Sequence, residues 1–104
     1  MNNICILGTG KQGTAATYDL LLYAKPKKMI LLDSEEKSLK NCLDKIKSVK
    51  SSNTEIILQK IDLNNEIELM NILRNYDIML SAVPYPFNPM LTKIAIESSI
   101  SMVD

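Results

Sequence analysis

The chain has 104 residues, 46% of them hydrophobic, enough for one hydrophobic core, and it is expected to form one domain over residues 1–104. Its formal net charge is zero, Arg74 is its single arginine and its lysines are scattered, which argues against a nucleic-acid or anionic-membrane surface. With no histidine, Ser-His-Asp and Cys-His nucleophilic sites and His-based zinc sites are excluded. Cys5 and Cys42 lack metal-ligand spacing and read as packed, reduced thiols, so no metal site is expected.

The first strand is expected at residues 3–7, where Ile4-Cys5-Ile6-Leu7 runs straight into Gly8-Thr9-Gly10-Lys11-Gln12-Gly13. A G-x-G-x-x-G turn that closes an apolar strand and opens a helix, here at residues 11–24, is the context in which the motif means a dinucleotide. All three glycines of the chain lie in this turn. Gly8 permits the tight exit from the strand, Gly10 lets backbone approach a pyrophosphate, and Gly13 allows close helix–sheet packing. Phosphates would then meet free N–H groups and the positive end of the helix dipole, so the anion site needs no basic side chain. Lys11 joins it at most as an electrostatic aid and otherwise reads as a solvated lysine. Tyr18, within the helix, reads as core packing.

A second strand at residues 28–32 ends in Asp33, about 20 residues beyond the third glycine, where the fingerprint places an acid that accepts from the adenosine ribose hydroxyls. Ser34 stands beside it in the candidate site. Glu35 and Glu36 follow, with only Lys37 to offset them, so repulsion and desolvation of a 2′-phosphate favour NAD, with NADP second. Asp33 or Ser34 would also suit the N-cap of a second helix at residues 35–48.

A polar, serine-rich loop at residues 47–53 leads to a third strand at residues 53–58. Asp62, after that strand, falls where this architecture brings a loop against the adenine; a helix cap or a turn residue reads equally well. A third helix at residues 65–75, a fourth strand at 77–81, a fourth helix at 88–98 and a fifth strand at 101–103 complete the pattern. Short apolar runs alternating with amphipathic stretches describe an α/β fold: a doubly wound parallel sheet of order 3-2-1-4-5 between two helical layers. Strands one and four then flank the ligand crevice. The loop Ser81-Ala82-Val83-Pro84-Tyr85-Pro86-Phe87-Asn88-Pro89 borders it, and its small leading residues admit a cofactor's ribose and pyrophosphate. Its P-x-P-x-x-P spacing also fits polyproline recognition, but a loop pinned between strand and helix cannot project freely.

Residues 8–20, GTGKQGTAATYDL, and residues 80–88, LSAVPYPFN, together resemble the amino-terminal Rossmann domain of the saccharopine dehydrogenase family, especially its L-lysine 6-dehydrogenase-like members. Ser101-Met102-Val103-Asp104 is similar to that family's fifth strand. The resemblance implies a nicotinamide-dependent oxidoreductase that moves hydride from an amino-acid C–H at a C–N bond to nicotinamide, in lysine or related metabolism. By position it implies that Gly8, Gly10, Gln12 and Gly13 meet the pyrophosphate, Asp33 the ribose and Asp62 the adenine side. Ala82, Val83 and Pro84 would lie beside the nicotinamide ribose, with Tyr85 and Asn88 near the substrate mouth. In that family the substrate-binding groups come mostly from a second domain, so no catalytic residue is assigned here. A companion substrate domain, in cis or in trans, is expected.

A regulatory nucleotide-sensing module without redox chemistry is the alternative. A methyltransferase-like domain ranks below it, because Leu7 stands where a carboxylate would precede the glycine turn. Lacking a signal-peptide pattern or a membrane-length apolar run, the chain is expected in the cytoplasm. The sheet edge at the fifth strand suggests a homodimer.

Overall fold

The computed structural model describes residues 3–49, 53–62 and 64–82, together with the backbone of Ser101–Val103. Its strands are β1 (Asn3–Leu7), β2 (Lys28–Asp33), β3 (Glu55–Lys60), β4 (Ile78–Ser81) and β5 (Ser101–Val103). The helices are α1 (Lys11–Asp19), continued by a π-helical turn (Leu20–Ala24), α2 (Glu36–Ile46) and α3 (Glu66–Leu73). Among the described residues all strand pairings are parallel, in the order β3-β2-β1-β4-β5, as the sequence implies. The fourth helix expected at residues 88–98 lies outside the described residues.

Successive strand residues face opposite sides, and here both sides are apolar because both are covered. Ile4 and Ile6 of β1 and Met29 and Leu31 of β2 pack with Leu21 of the π turn and with Leu39, Cys42 and Ile46 of α2. On the other face Cys5, Leu7, Ile30, Leu32 and Met79 meet Leu69 and Leu73 of α3 and Tyr76. Two steps, β1-α1-β2 and β2-α2-β3, build the sheet outward on one face. The next crossover carries α3 to the other face and sets β4 against the free side of β1. The point where the winding reverses is therefore the gap between the carboxyl ends of β1 and β4. Both cysteines are buried free thiols.

Three local expectations are corrected. The first helix is not α-helical to residue 24: the Lys25 N–H donates to Leu20 O at 3.0 Å, a five-residue step, and Lys25 closes the turn at φ 46° because Pro26 cannot continue a helix. Strand three runs two residues later than expected, from Glu55 to Lys60. The Thr54 hydroxyl is tied to Pro26 O at 2.6 Å, and polar Gln59 and Lys60 are tolerated on an edge strand. Tyr18 belongs to neither core cluster; it is 37% exposed on α1. Among the described residues no helix is long and apolar enough to cross a membrane, and no acid or thiol cluster is arranged for a metal.

Candidate functional site

Leu7 lies in register between Leu32 and Ser81, so Gly8, Asp33 and Ala82 emerge side by side along the carboxyl edge of β2, β1 and β4. The Gly8 N–H donates to Leu32 O and the Ala82 N–H to Leu7 O, both at 2.8 Å, which fixes the edge rigidly around the glycine turn.

The three glycines differ. Gly8 has φ 94°, a left-handed conformation that disfavours any side chain. A Cβ on buried Gly13 would stand 1.8 Å from Gly8 O, an impossible contact, and 3.5 Å from the Ala82 Cβ. Both are therefore demanded by the fold. Gly10 is not: its φ of −69° suits any residue, and a Cβ there would meet nothing within 4 Å. Gly10 is the N-cap of α1 and no side chain caps that helix, so the first turn presents its N–H groups to open space. Open space beside a side-chain-free residue at a helix amino end leaves room for a pyrophosphate to approach the backbone. Lys11 and Gln12 are exposed in the same turn. Lys11 lies along the groove between α1 and α2 with Tyr18 and Lys45.

Asp33 is half-buried and engaged. One carboxylate oxygen, Oδ2, accepts the backbone N–H and the hydroxyl of Thr9, each at 2.8 Å, while Oδ1 accepts the Glu35 N–H at 3.0 Å. Three of about four lone-pair sites are filled. The carboxylate thus clamps the end of β2 to the glycine turn, and Thr14 Oγ adds a bond to Thr9 O at 3.0 Å. Neither Asp33 nor Ser34 is the N-cap of α2. That position is Glu35, without a side-chain cap, because Asp33 is turned toward Thr9. Thr9 was invisible in the sequence because its partner is 24 residues away, with no local spacing to flag it.

Beyond β2 and β3, exposed Ser34, Lys60 and Asp62 line an open cleft of about 380 Å³ with Ile61 and Glu68. Asp62 is a turn residue: its Oδ1 accepts the Asn64 N–H at 2.9 Å and its carbonyl accepts the Asn65 N–H at 3.0 Å. The cap of α3 is Asn65, whose Oδ1 accepts the Glu68 N–H at 3.1 Å while its amide donates to Glu68 Oε2 at 3.4 Å. That N-x-x-E pattern stands in the sequence and could have been read as a capping box. On the β4 side Ala82 is half-buried, and the buried Ser81 Oγ has no partner among the described residues. Val83, Pro84, Tyr85 and Asn88 lie outside the described residues.

A parallel doubly wound sheet, a glycine turn at its switch point and an open helix amino end define a Rossmann dinucleotide-binding domain. The chain belongs to the family described as saccharopine dehydrogenase NADP binding domain, which matches residues 4–104. Among solved structures it is similar to apo saccharopine dehydrogenase (L-Glu forming) from Saccharomyces cerevisiae, with 22% identity and a TM-score of 0.71, over 98% of this chain and 21% of that one. It is also similar to an isoflavone reductase (19% identity, TM-score 0.69, 96% of this chain and 34% of that one). A third likeness is to the shikimate dehydrogenase of Mycobacterium tuberculosis (13%, 0.62, 97% and 44%). These likenesses show the fold, and the chain spans about a fifth of the yeast enzyme's length. No curated protein matches significantly.

The family corrects the expected preference for NAD, because the domain it describes binds NADP. The acids after β2 are partly engaged. The Asp33 charge is compensated by three donors, Glu36 leans to Lys40 at 3.5 Å, and the register sets Lys60 beside Asp33. Lys60 escaped notice because strand three was read as ending at residue 58.

Proposed function

We propose that this chain is the NADP-holding part of a dehydrogenase that acts on an amino-acid C–N bond, with the substrate-orienting groups supplied by a companion domain in cis or in trans. The observation that carries the reading is Gly10: a glycine that the fold does not require, at the open amino end of α1. NADP bound there supplies a nicotinamide ring that accepts a hydride from substrate carbon. The chain's own contribution is backbone N–H groups toward the pyrophosphate, the rigid Thr9–Asp33 clamp behind the turn, and the small Ala82 at the crevice. Membership of a dehydrogenase cofactor-domain family weighs against a purely regulatory nucleotide sensor. The cytoplasm is the compartment proposed, supported by two buried thiols in the reduced form.

Calorimetric titration with NADP, paired with thermal melting, tests this reading. Gly10→Val should keep the melting temperature near that of the parent and weaken NADP binding by about tenfold or more, since its side chain occupies the pyrophosphate approach. Gly13→Ala should lose the fold itself, because its methyl would collide with Gly8 O. Parent-like NADP affinity in Gly10→Val would remove the pyrophosphate assignment.

A further inference from the structure

Among the described residues four large apolar side chains are exposed, and three of them, Tyr18, Leu22 and Tyr23, stand together on α1 and its π turn; the fourth is Ile67 of α3. Single exposed apolar residues are ordinary, but a contiguous group marks a surface that something covers. Four bulky residues follow one another in the π turn, Leu20-Leu21-Leu22-Tyr23, and the core takes only the first two. Leu21 is buried, Leu20 packs against the same cluster from its edge, and Tyr23 is left 80% exposed.

The outer face of α1 leads into that group. Ala15, Tyr18 and Leu22 are exposed at steps of three and four residues, which sets them along one stripe, and Ala15 and Tyr18 with Thr14 line a groove of about 360 Å³ between α1 and α2. Lys11, Lys45 and Asp19 complete its lining. On α2 Lys40 is paired with Glu36 and Lys47 with Asp44, whereas Lys11, Lys45 and Asp19 make no ion pair among the described residues. The groove thus combines an apolar floor with a rim of net positive charge. The opposite helical face differs, since α3 sets Ile67 between Glu66 and Glu68 and has no lysine. Gly10, Asp33 and Ala82 do not line the groove, which is therefore separate from the cofactor crevice.

We propose that this groove, extended by Leu22 and Tyr23, docks an acidic amphipathic helix of another polypeptide, its apolar anchors toward Tyr18, Leu22 and Tyr23 and its carboxylates toward Lys11 and Lys45. A groove between two packed helices admits the side-chain ridge of a third, and anchors three and four residues apart match the stripe. Tyrosines suit such a contact because they bury a large area with few rotamers to freeze. Carboxylates complement the unpaired lysines and discriminate against basic partners. The concave shape and Asp19 within it favour a protein helix over an anionic bilayer.

The probe is a labelled helical peptide with leucines at i, i+4, i+7 and i+11 and glutamates and alanines elsewhere, beside a counterpart with lysine in place of each glutamate. Fluorescence anisotropy with the whole chain should show the glutamate peptide bound about tenfold or more tightly than the lysine one. Leu22→Ser and Tyr23→Ser should each weaken it by about tenfold, and Ile67→Ser should leave it unchanged. Lys45→Glu should weaken the glutamate peptide and strengthen the lysine peptide; as a change of charge at an exposed rim position it keeps the test open if either apolar variant melts early. Equal binding of the two peptides, binding of neither, or a loss in Ile67→Ser matching that in Tyr23→Ser would overturn the proposal. So would co-sedimentation with phosphatidylserine vesicles that Tyr23→Ser abolishes, which would make this face a membrane surface instead.

Discussion

Lys28 Nζ stands 5.6 Å from the centroid of the Tyr76 ring, which closes one face of the core at the end of the sheet opposite the cofactor turn. Burial, with smaller contributions from Cys5 and Glu55, pushes the Tyr76 phenol from 10.0 up to about 12. A phenol that holds its proton more tightly in the folded chain contributes stability that is fully present below the unfolded value and is lost as pH rises through the folded one. Chemical denaturation across the range from 10.0 to about 12 should therefore show falling stability, by at most about 3 kcal/mol from this residue. Tyr76→Phe should shallow that decline without abolishing it, since burial also raises the Cys5 and Cys42 thiols. A decline of equal depth in Tyr76→Phe would remove Tyr76 as its source. Residue roles that depend on chemistry in a short window were legible from sequence, as with Gly8 and Gly13. Roles made by distant partners were not: Thr9 meets Asp33, and Tyr76 meets Lys28, only once the sheet has formed.

Elements follow the same division. Apolar runs located every described strand and helix, while their ends were set by single polar contacts. Thr54 to Pro26 O shifts the start of β3, Asn65 with Glu68 starts α3, and Asp33 turned toward Thr9 leaves α2 without a side-chain cap. The end of the first helix is the element with most to gain. Lys25 sits at φ 46°, ψ 62°, a left-handed position that costs an L-residue roughly 1–2 kcal/mol and that glycine occupies freely. Lys25→Gly should therefore stabilise the domain by about 0.5–1 kcal/mol, after allowance for glycine's larger unfolded-state entropy. Differential scanning calorimetry reads this as a melting point a few degrees higher. A lower one would mean that the Lys25 side chain contributes more than its backbone costs.

At the scale of the whole molecule the strand order was legible because right-handed crossovers leave few alternatives, and the reversal after β3 places the ligand crevice between β1 and β4. The cofactor was not legible by counting acids, because Asp33 is engaged by Thr9 and set beside Lys60, which only the assembled fold brings there, and Glu36 is paired with Lys40 one helical turn on. The same assembly leaves the two sheet edges unequal. β3 carries Glu55 and Lys60 at its ends, charges that discourage edge-to-edge pairing, whereas β5, Ser-Met-Val, carries no charge, has only its shortness to limit pairing, and is paired among the described residues only with β4. An edge of this kind offers a row of backbone donors and acceptors to a second strand, so two copies of the chain should associate there when no companion domain covers it. Sedimentation velocity over rising concentration should show the mean mass moving from monomer toward dimer, and NADP should leave that shift in place, since the cofactor crevice lies between β1 and β4 rather than at β5. A single monomer mass at every concentration would mean that the β5 edge is already covered within the chain.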